Sequence, residues 1–198
     1  MPHPLLLLLH GLSLLPFLLL LLDGGSGALT ANPIQAITQR TGQAAILWLL
    51  FSLACTPLQS LTGWKFAAQA RRPLGLYAFF YAALHFLTFA VLDYGLDFRQ
   101  MTAVLVEKRF IIAGSVALLV LLILALTSNR TAMRQLGRGW KRLHRLAYAA
   151  GALAVLHYAW AVKSDIRQPL LYGGIFLLLL LLRLPAIRRW MQHRRQSA

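Results

Sequence analysis

Acidic side chains are the scarcest feature of this sequence. Five Asp and Glu stand against twenty Lys and Arg in 198 residues, and charged residues of both signs make up only 13%. Paired-carboxylate catalysis or an interior proton relay needs acids in the middle of buried segments. Here Asp23, Asp93, Asp97, Glu107 and Asp165 all fall between apolar runs or at their ends. Cysteine is nearly absent too: Cys55 is alone, which excludes an intrachain disulfide. No G-x-G-x-x-G loop occurs, so a built-in dinucleotide domain is not expected. What the chain has instead is apolar residues, 59% of the total, a composition that reads as an integral membrane protein.

Six apolar segments are long enough to cross a bilayer, at about 4–22, 43–58, 73–93, 110–127, 143–162 and 169–187. The connections alternate in charge. The loop after the second segment, the loop after the fourth and the C-terminal tail together hold fourteen cations and no acid, while the other connections hold six cations and all five acids. By the positive-inside rule the fourteen-cation side is cytoplasmic. The expected fold is therefore all-α: a six-helix transmembrane bundle with both termini cytoplasmic, forming one domain over 1–198. The basic excess is an orientation signal and a contact for membrane lipid rather than a nucleic-acid footprint.

Two histidines lie deep in this scheme. His85 stands 13 residues beyond Arg72 and His157 stands 15 beyond Arg142, which puts both at roughly 20 Å from the cytoplasmic edge. The positions three, seven and ten before each are small: Ala82, Ala78 and Gly75 in one segment, Ala154, Ala150 and Ala147 in the other. Two imidazoles, each beside a stripe cleared of bulk, can clamp a flat cofactor from both sides, and b-type haem with His85 and His157 as axial ligands to the iron suits such a site best. Zinc suits it poorly, since no thiol or carboxylate lies at that depth on either helix.

The remaining stretches carry weaker signals. The first segment resembles a secretory signal in having Ser26, Gly27 and Ala28 just beyond it, but no Lys or Arg precedes it and its apolar run is long, so retention is expected. Pro16 should kink it. His10 faces either a packed polar partner or a second cofactor. Residues 23–42 read as an external loop with Asn32-Pro33 as a turn, and the segment before Pro73 reads as a basic amphipathic stretch, with Pro73 opening the third helix and Arg71 and Arg72 at its start. Those two arginines bind either lipid headgroups or a phosphate or propionate. The external stretch 94–110 reads as a partly helical cap, in which Arg99, Lys108 and Arg109 are either solvated or able to reach propionates. The fourth segment, which lacks any titratable group, serves packing. His144 lies 13 residues before His157, about 140° away on an ideal helix, so a shared face needs a local distortion. It is either a hydrated edge histidine or the ligand of a second haem, with His10 or water opposite. His3 and His193 read as solvent-exposed.

The motifs LHGLSLLPF, RRPLGL, ALHF, LGRGWKRLHRLAY and LHYAWAVK, in this order over six spans, resemble the MsrQ (YedZ) family, within the ferric-reductase-like transmembrane group. The resemblance covers nearly the whole chain. It implies a haem-binding membrane subunit in the bacterial inner membrane that binds haem b and flavin mononucleotide (FMN). It also implies that electrons pass from the quinone pool, or from a cytoplasmic flavin reductase, to a periplasmic molybdopterin-containing reductase that repairs oxidised methionine. His85, His144 and His157 match the core histidines of that family. Arg71, Arg72 and the loop before His144 are candidates for holding a flavin phosphate. The alternative function is a stand-alone transmembrane ferric or cupric reductase.

Overall fold

The computed structural model describes residues 4–162 and 165–184, all of it helix and connecting turns. His3, His193, Lys163 and the tail cations Arg188, Arg189, Arg194 and Arg195 lie outside the described residues, as do the last three residues of the sixth expected segment. The long helices are α1 (Pro4–Gly25), α2 (Pro33–Thr62), α3 (Lys65–Leu87, continued by a π-helical turn Thr88–Asp93), α5 (Arg109–Leu126), α8 (Leu146–Ala161) and α9 (Arg167–Leu181). Short helices lie between them: α4 (Phe98–Glu107), α6 (Arg130–Leu136) and α7 (Arg138–Leu143). Four helices are long and apolar enough to cross a membrane: α1, α2, α5, and α3 taken through Asp93. Large apolar side chains cover the outside, with Leu8, Leu22, Leu119, Leu126 and Leu170 all more than half exposed. Such a surface is stable only against hydrocarbon, so the chain is a multi-pass membrane protein.

Two boundaries differ from the sequence expectation, each for a local reason. Asn32-Pro33 starts a helix rather than a turn: the Asn32 side chain accepts from the Gln35 amide at 3.1 Å, and Pro33 occupies the first helical position, where no N–H is missed. Helix α2 therefore runs ten residues before the expected second segment and ends only at Gly63, whose φ of 71° is left-handed and whose amide returns to the Gln59 carbonyl. Pro73 does not open α3, because that helix already begins at Lys65 and carries Pro73 within it. Arg71 and Arg72 are thus set on a helix wall, about two turns in. The expected helical cap at 94–110 is present as α4, started by Asp97, whose carboxylate accepts from the Arg99 and Gln100 amides.

Pro16 interrupts α1, and a neighbouring helix repairs the interruption. The buried Tyr81 hydroxyl of α3 donates to the Ser13 carbonyl at 2.6 Å and accepts from the Phe17 amide at 3.1 Å, bridging the turn of α1 that contains Pro16. Tyr81→Phe leaves both backbone groups unpaired in an apolar setting. We expect it to lower the stability of the detergent-solubilised protein by about 1–3 kcal/mol, read as a drop in thermal midpoint. An unchanged midpoint would show that α1 does not depend on this splice.

The core is built from two helix pairs, α2 with α3 and α5 with α8, which form the most extensive contacts in the molecule. The pairs correspond at a constant offset of 72 residues, His85 to His157, Ala78 to Ala150 and Gly75 to Ala147. Ala78 and Ala150 are both fully buried, so the small-residue stripes noted in the sequence face the interior of the bundle. Helix α9 closes on α8 through Gly151, where an added Cβ would lie 2.5 Å from the Phe176 ring.

Candidate functional site

The structure brings His85 and His157 together at one end of this core. Their ring centroids are 5.9 Å apart and the ring planes meet at 86°. Each ring is anchored in the same manner by the paired helix. His85 Nδ1 lies 2.9 Å from the Thr38 carbonyl of α2, and His157 Nδ1 lies 2.7 Å from the Phe110 carbonyl of α5. A carbonyl only accepts, so Nδ1 carries the proton on both rings and Nε2 keeps its lone pair. Both rings also lie against glycine, His85 on Gly42 and His157 on Gly114.

The separation has chemical meaning. Two imidazoles bound through Nε2 to opposite sides of one metal ion at about 2.0 Å place their ring centres roughly 6 Å apart. Two neutral imidazoles with free Nε2 atoms at that spacing suit a metal held along one axis, as in a six-coordinate haem. Among the described residues no group of three or more His, Cys, Asp or Glu is gathered, which is the set a tetrahedral zinc site needs.

His144 is placed elsewhere. The chain turns at His144 and Arg145 between α7 and α8, which supplies the distortion that a straight helix lacks and aims His144 into a separate cavity of about 240 Å³ toward the other end of the core. Its ring stacks on Trp140, with centroids 3.9 Å apart and planes 26° apart, and its Nε2 is 3.1 Å from the Thr127 hydroxyl. Arg71, Arg72, Gly75, Ser128, Ala147 and Tyr148 complete much of the wall. At the 72-residue offset His144 corresponds to Arg72, so this second site offers one imidazole and one guanidinium at the positions where the first offers two imidazoles. Arg183, not foreseen from the sequence, also belongs to this end: it sits over the Tyr148 ring at 4.8 Å and donates to the Leu53 carbonyl, with its Nε buried and unpartnered. Among the described residues neither Arg71, Arg72 nor Arg183 forms an ion pair.

His10 has the packed partner that was one of its two readings: its Nδ1 lies 2.9 Å from the Tyr77 hydroxyl. Arg40 pairs with Asp23 across the connection between α1 and α2. The partners that sequence reading missed are backbone and glycine: the Thr38 and Phe110 carbonyls, Gly42 and Gly114. Their signal was available, since a glycine stands 43 residues before each deep histidine.

Fold and site together define a class, a membrane helix bundle built on two corresponding helix pairs that brings two imidazoles together at one end. Residues 41–155 match the family described as the ferric reductase like transmembrane component. Among curated proteins the chain is 47% identical over 165 residues to a protein of Rhodospirillum rubrum, covering 82% of this chain and 79% of that one. It is 46% identical over 179 residues to one of Xanthomonas euvesicatoria, with 87% and 82% covered, and 45% identical over 175 residues to one of Bordetella pertussis, with 87% and 85% covered. Each of these relatives is named as the haem-binding subunit MsrQ of a protein-methionine-sulfoxide reductase. The chain belongs to the MsrQ family. The names of these relatives speak of haem alone, so the flavin expectation finds no support in them.

Proposed function

We propose that this chain is the haem-binding membrane subunit of a protein-methionine-sulfoxide reductase system, carrying electrons outward to a separate catalytic subunit. The observation that carries this reading is the facing pair His85 and His157, each with Nδ1–H spent on a carbonyl and Nε2 free. When bound there, haem b supplies a one-electron iron couple in a low-dielectric slot. The chain's own residues do the rest. The two imidazoles would hold the iron and leave no place on it for small ligands, the carbonyl bonds fix their tautomer, and the surrounding helices exclude water. The acceptor is a periplasmic molybdopterin reductase acting on oxidised methionine, and the donor is membrane quinol or a cytoplasmic flavin reductase.

The topology that fits this role is six crossings in a single domain, with both termini in the cytoplasm. Helices α8 and α9, with 16 and 15 residues, extend about 22–24 Å and complete the crossing with their flanking turns. On that topology the His144 cavity is the inner site, facing the cytoplasmic side and taking the second redox carrier, and the His85 and His157 pair is the outer site. One imidazole already bonded to Thr127, two unpaired guanidiniums and the rings of Trp140 and Tyr148 suit the flat ring and phosphate of FMN better than a second axial haem.

The deciding experiment is a reduced-minus-oxidised visible spectrum of the purified protein with haem and flavin counted per chain. The expected result is one low-spin b-type haem and one FMN. His144→Ala should keep the haem and reduce the flavin. A colourless protein would sink the reading, and loss of haem in His144→Ala would move the haem to the inner site. Reduction of ferric or cupric ions by the chain without a partner would favour the stand-alone reductase instead.

A further inference from the structure

The two glycines beside the histidines occupy matching places. Gly42 lies one turn after Thr38 on α2, and Gly114 lies one turn after Phe110 on α5. Each helix therefore presents a slot made of two parts, a carbonyl that takes the Nδ1 proton and, four residues on, a position with no side chain where the edge of the same ring rests. The fit is close. A Cβ at Gly114 would stand 2.6 Å from His157 Nδ1 and 2.8 Å from Cε1, and one at Gly42 would stand 3.1 Å from the same two atoms of His85. These are ring atoms tied to a backbone carbonyl, not the loose end of a flexible chain. Neither glycine has a positive φ, so space rather than backbone conformation calls for glycine.

We propose that Gly42 and Gly114 are positioning residues for the axial ligands: by leaving out a side chain they let the Nδ1–Cε1 edge of each imidazole rest against its paired helix and so hold the two ring planes perpendicular. This rests on the reading of His85 and His157 as ligands of one haem. The consequence is electronic. Parallel imidazoles donate into the same iron d orbital and split the pair, whereas perpendicular ones donate into different orbitals and leave the pair nearly degenerate. With haem held between them, rings kept at this 86° angle would favour a low-spin ferric state of high g anisotropy and would shift the reduction potential through the same orbitals. A methyl at Gly114 forces the His157 ring to turn away from its carbonyl, which moves the angle off the perpendicular.

The test is electron paramagnetic resonance and a redox titration on purified, haem-loaded wild type, Gly114→Ala, Gly42→Ala and, as control, Gly11→Ala, where an added Cβ meets nothing within 4 Å. The wild type is expected to show one feature at unusually large g. Gly114→Ala should bring that g value down toward an ordinary rhombic low-spin spectrum and shift the midpoint potential, Gly42→Ala should do the same by less, and Gly11→Ala should change neither. If Gly114→Ala fails to assemble, Gly42→Ala decides alone, since its contact needs only a few tenths of an ångström of give. Glycine variants that leave both g values and potential at the wild-type value overturn this inference and leave the haem reading intact. A wild type with no low-spin haem overturns both.

Discussion

His85→Ala and His157→Ala each abolish the low-spin haem spectrum, and the double variant is no worse than either alone. The two imidazoles act as a unit across one gap of 5.9 Å between ring centres, so removing one leaves an axial position open and the other ring with nothing to complete. The expected haem content falls at least tenfold, and whatever haem remains is high-spin. Electron delivery to the catalytic partner falls to background with it. His157→Gly with free imidazole added should recover part of the low-spin signal, because the small molecule fills the vacated ring's place while Gly114 keeps the space clear. Either alanine variant with a wild-type spectrum would remove the physical basis of the electron-carrier assignment. The protein's fold is a separate matter: Ala78 and Ala150, two turns back from the histidines, hold the helix pairs together without them.

How far this site was legible beforehand depended on whether its signals were local. Hydropathy marked the apolar segments because a bilayer-spanning helix declares itself within some twenty residues. The small stripes before His85 and His157 were legible for the same reason, since they repeat along one helix face. The extension of α2 back to Pro33 was misread because Asn-Pro serves equally as a turn and as a helix start, and only the Gln35 amide shows which. Pro73 was misread in the same way. The Thr38 and Phe110 carbonyls carry no side-chain signature at all. Gly42 and Gly114 do, but only when the two halves of the chain are laid over one another at 72 residues, a comparison that a window along one helix never makes. Arg183 was hidden among tail cations that look alike in sequence; its place over Tyr148 depends on how α9 closes on α8.

The same overlay yields the second large effect, at the inner site. Gly75 and Ala147 line that cavity ten residues before His85 and His157, which is about 15 Å along the helices, with the edges of any two ring systems closer still. A carrier there is well placed to pass electrons to the outer site, and what would hold it is charge: Arg71 and Arg72 have no carboxylate partner among the described residues. Charge-assisted hydrogen bonds contribute about 1.5–3 kcal/mol each, so Arg71→Gln with Arg72→Gln should weaken FMN binding on the order of 100-fold or more. The purified double variant should lose its flavin fluorescence after denaturation, keep its low-spin haem, and show haem reduction by a cytoplasmic flavin reductase slowed at least tenfold. Lysine at both positions keeps the charge but not the fork, and should fall between the two. Arg72→His asks the sharper question, because it puts an imidazole at the position that corresponds to His144 at the 72-residue offset, as His85 corresponds to His157. If the variant takes up a second low-spin haem in place of flavin, the inner site differs from the outer one by the identity of a single side chain. If the flavin content of the double glutamine variant equals the wild type, the inner cavity is not where flavin binds, and His144 has to be explained by its bonds to Thr127 and Trp140 alone.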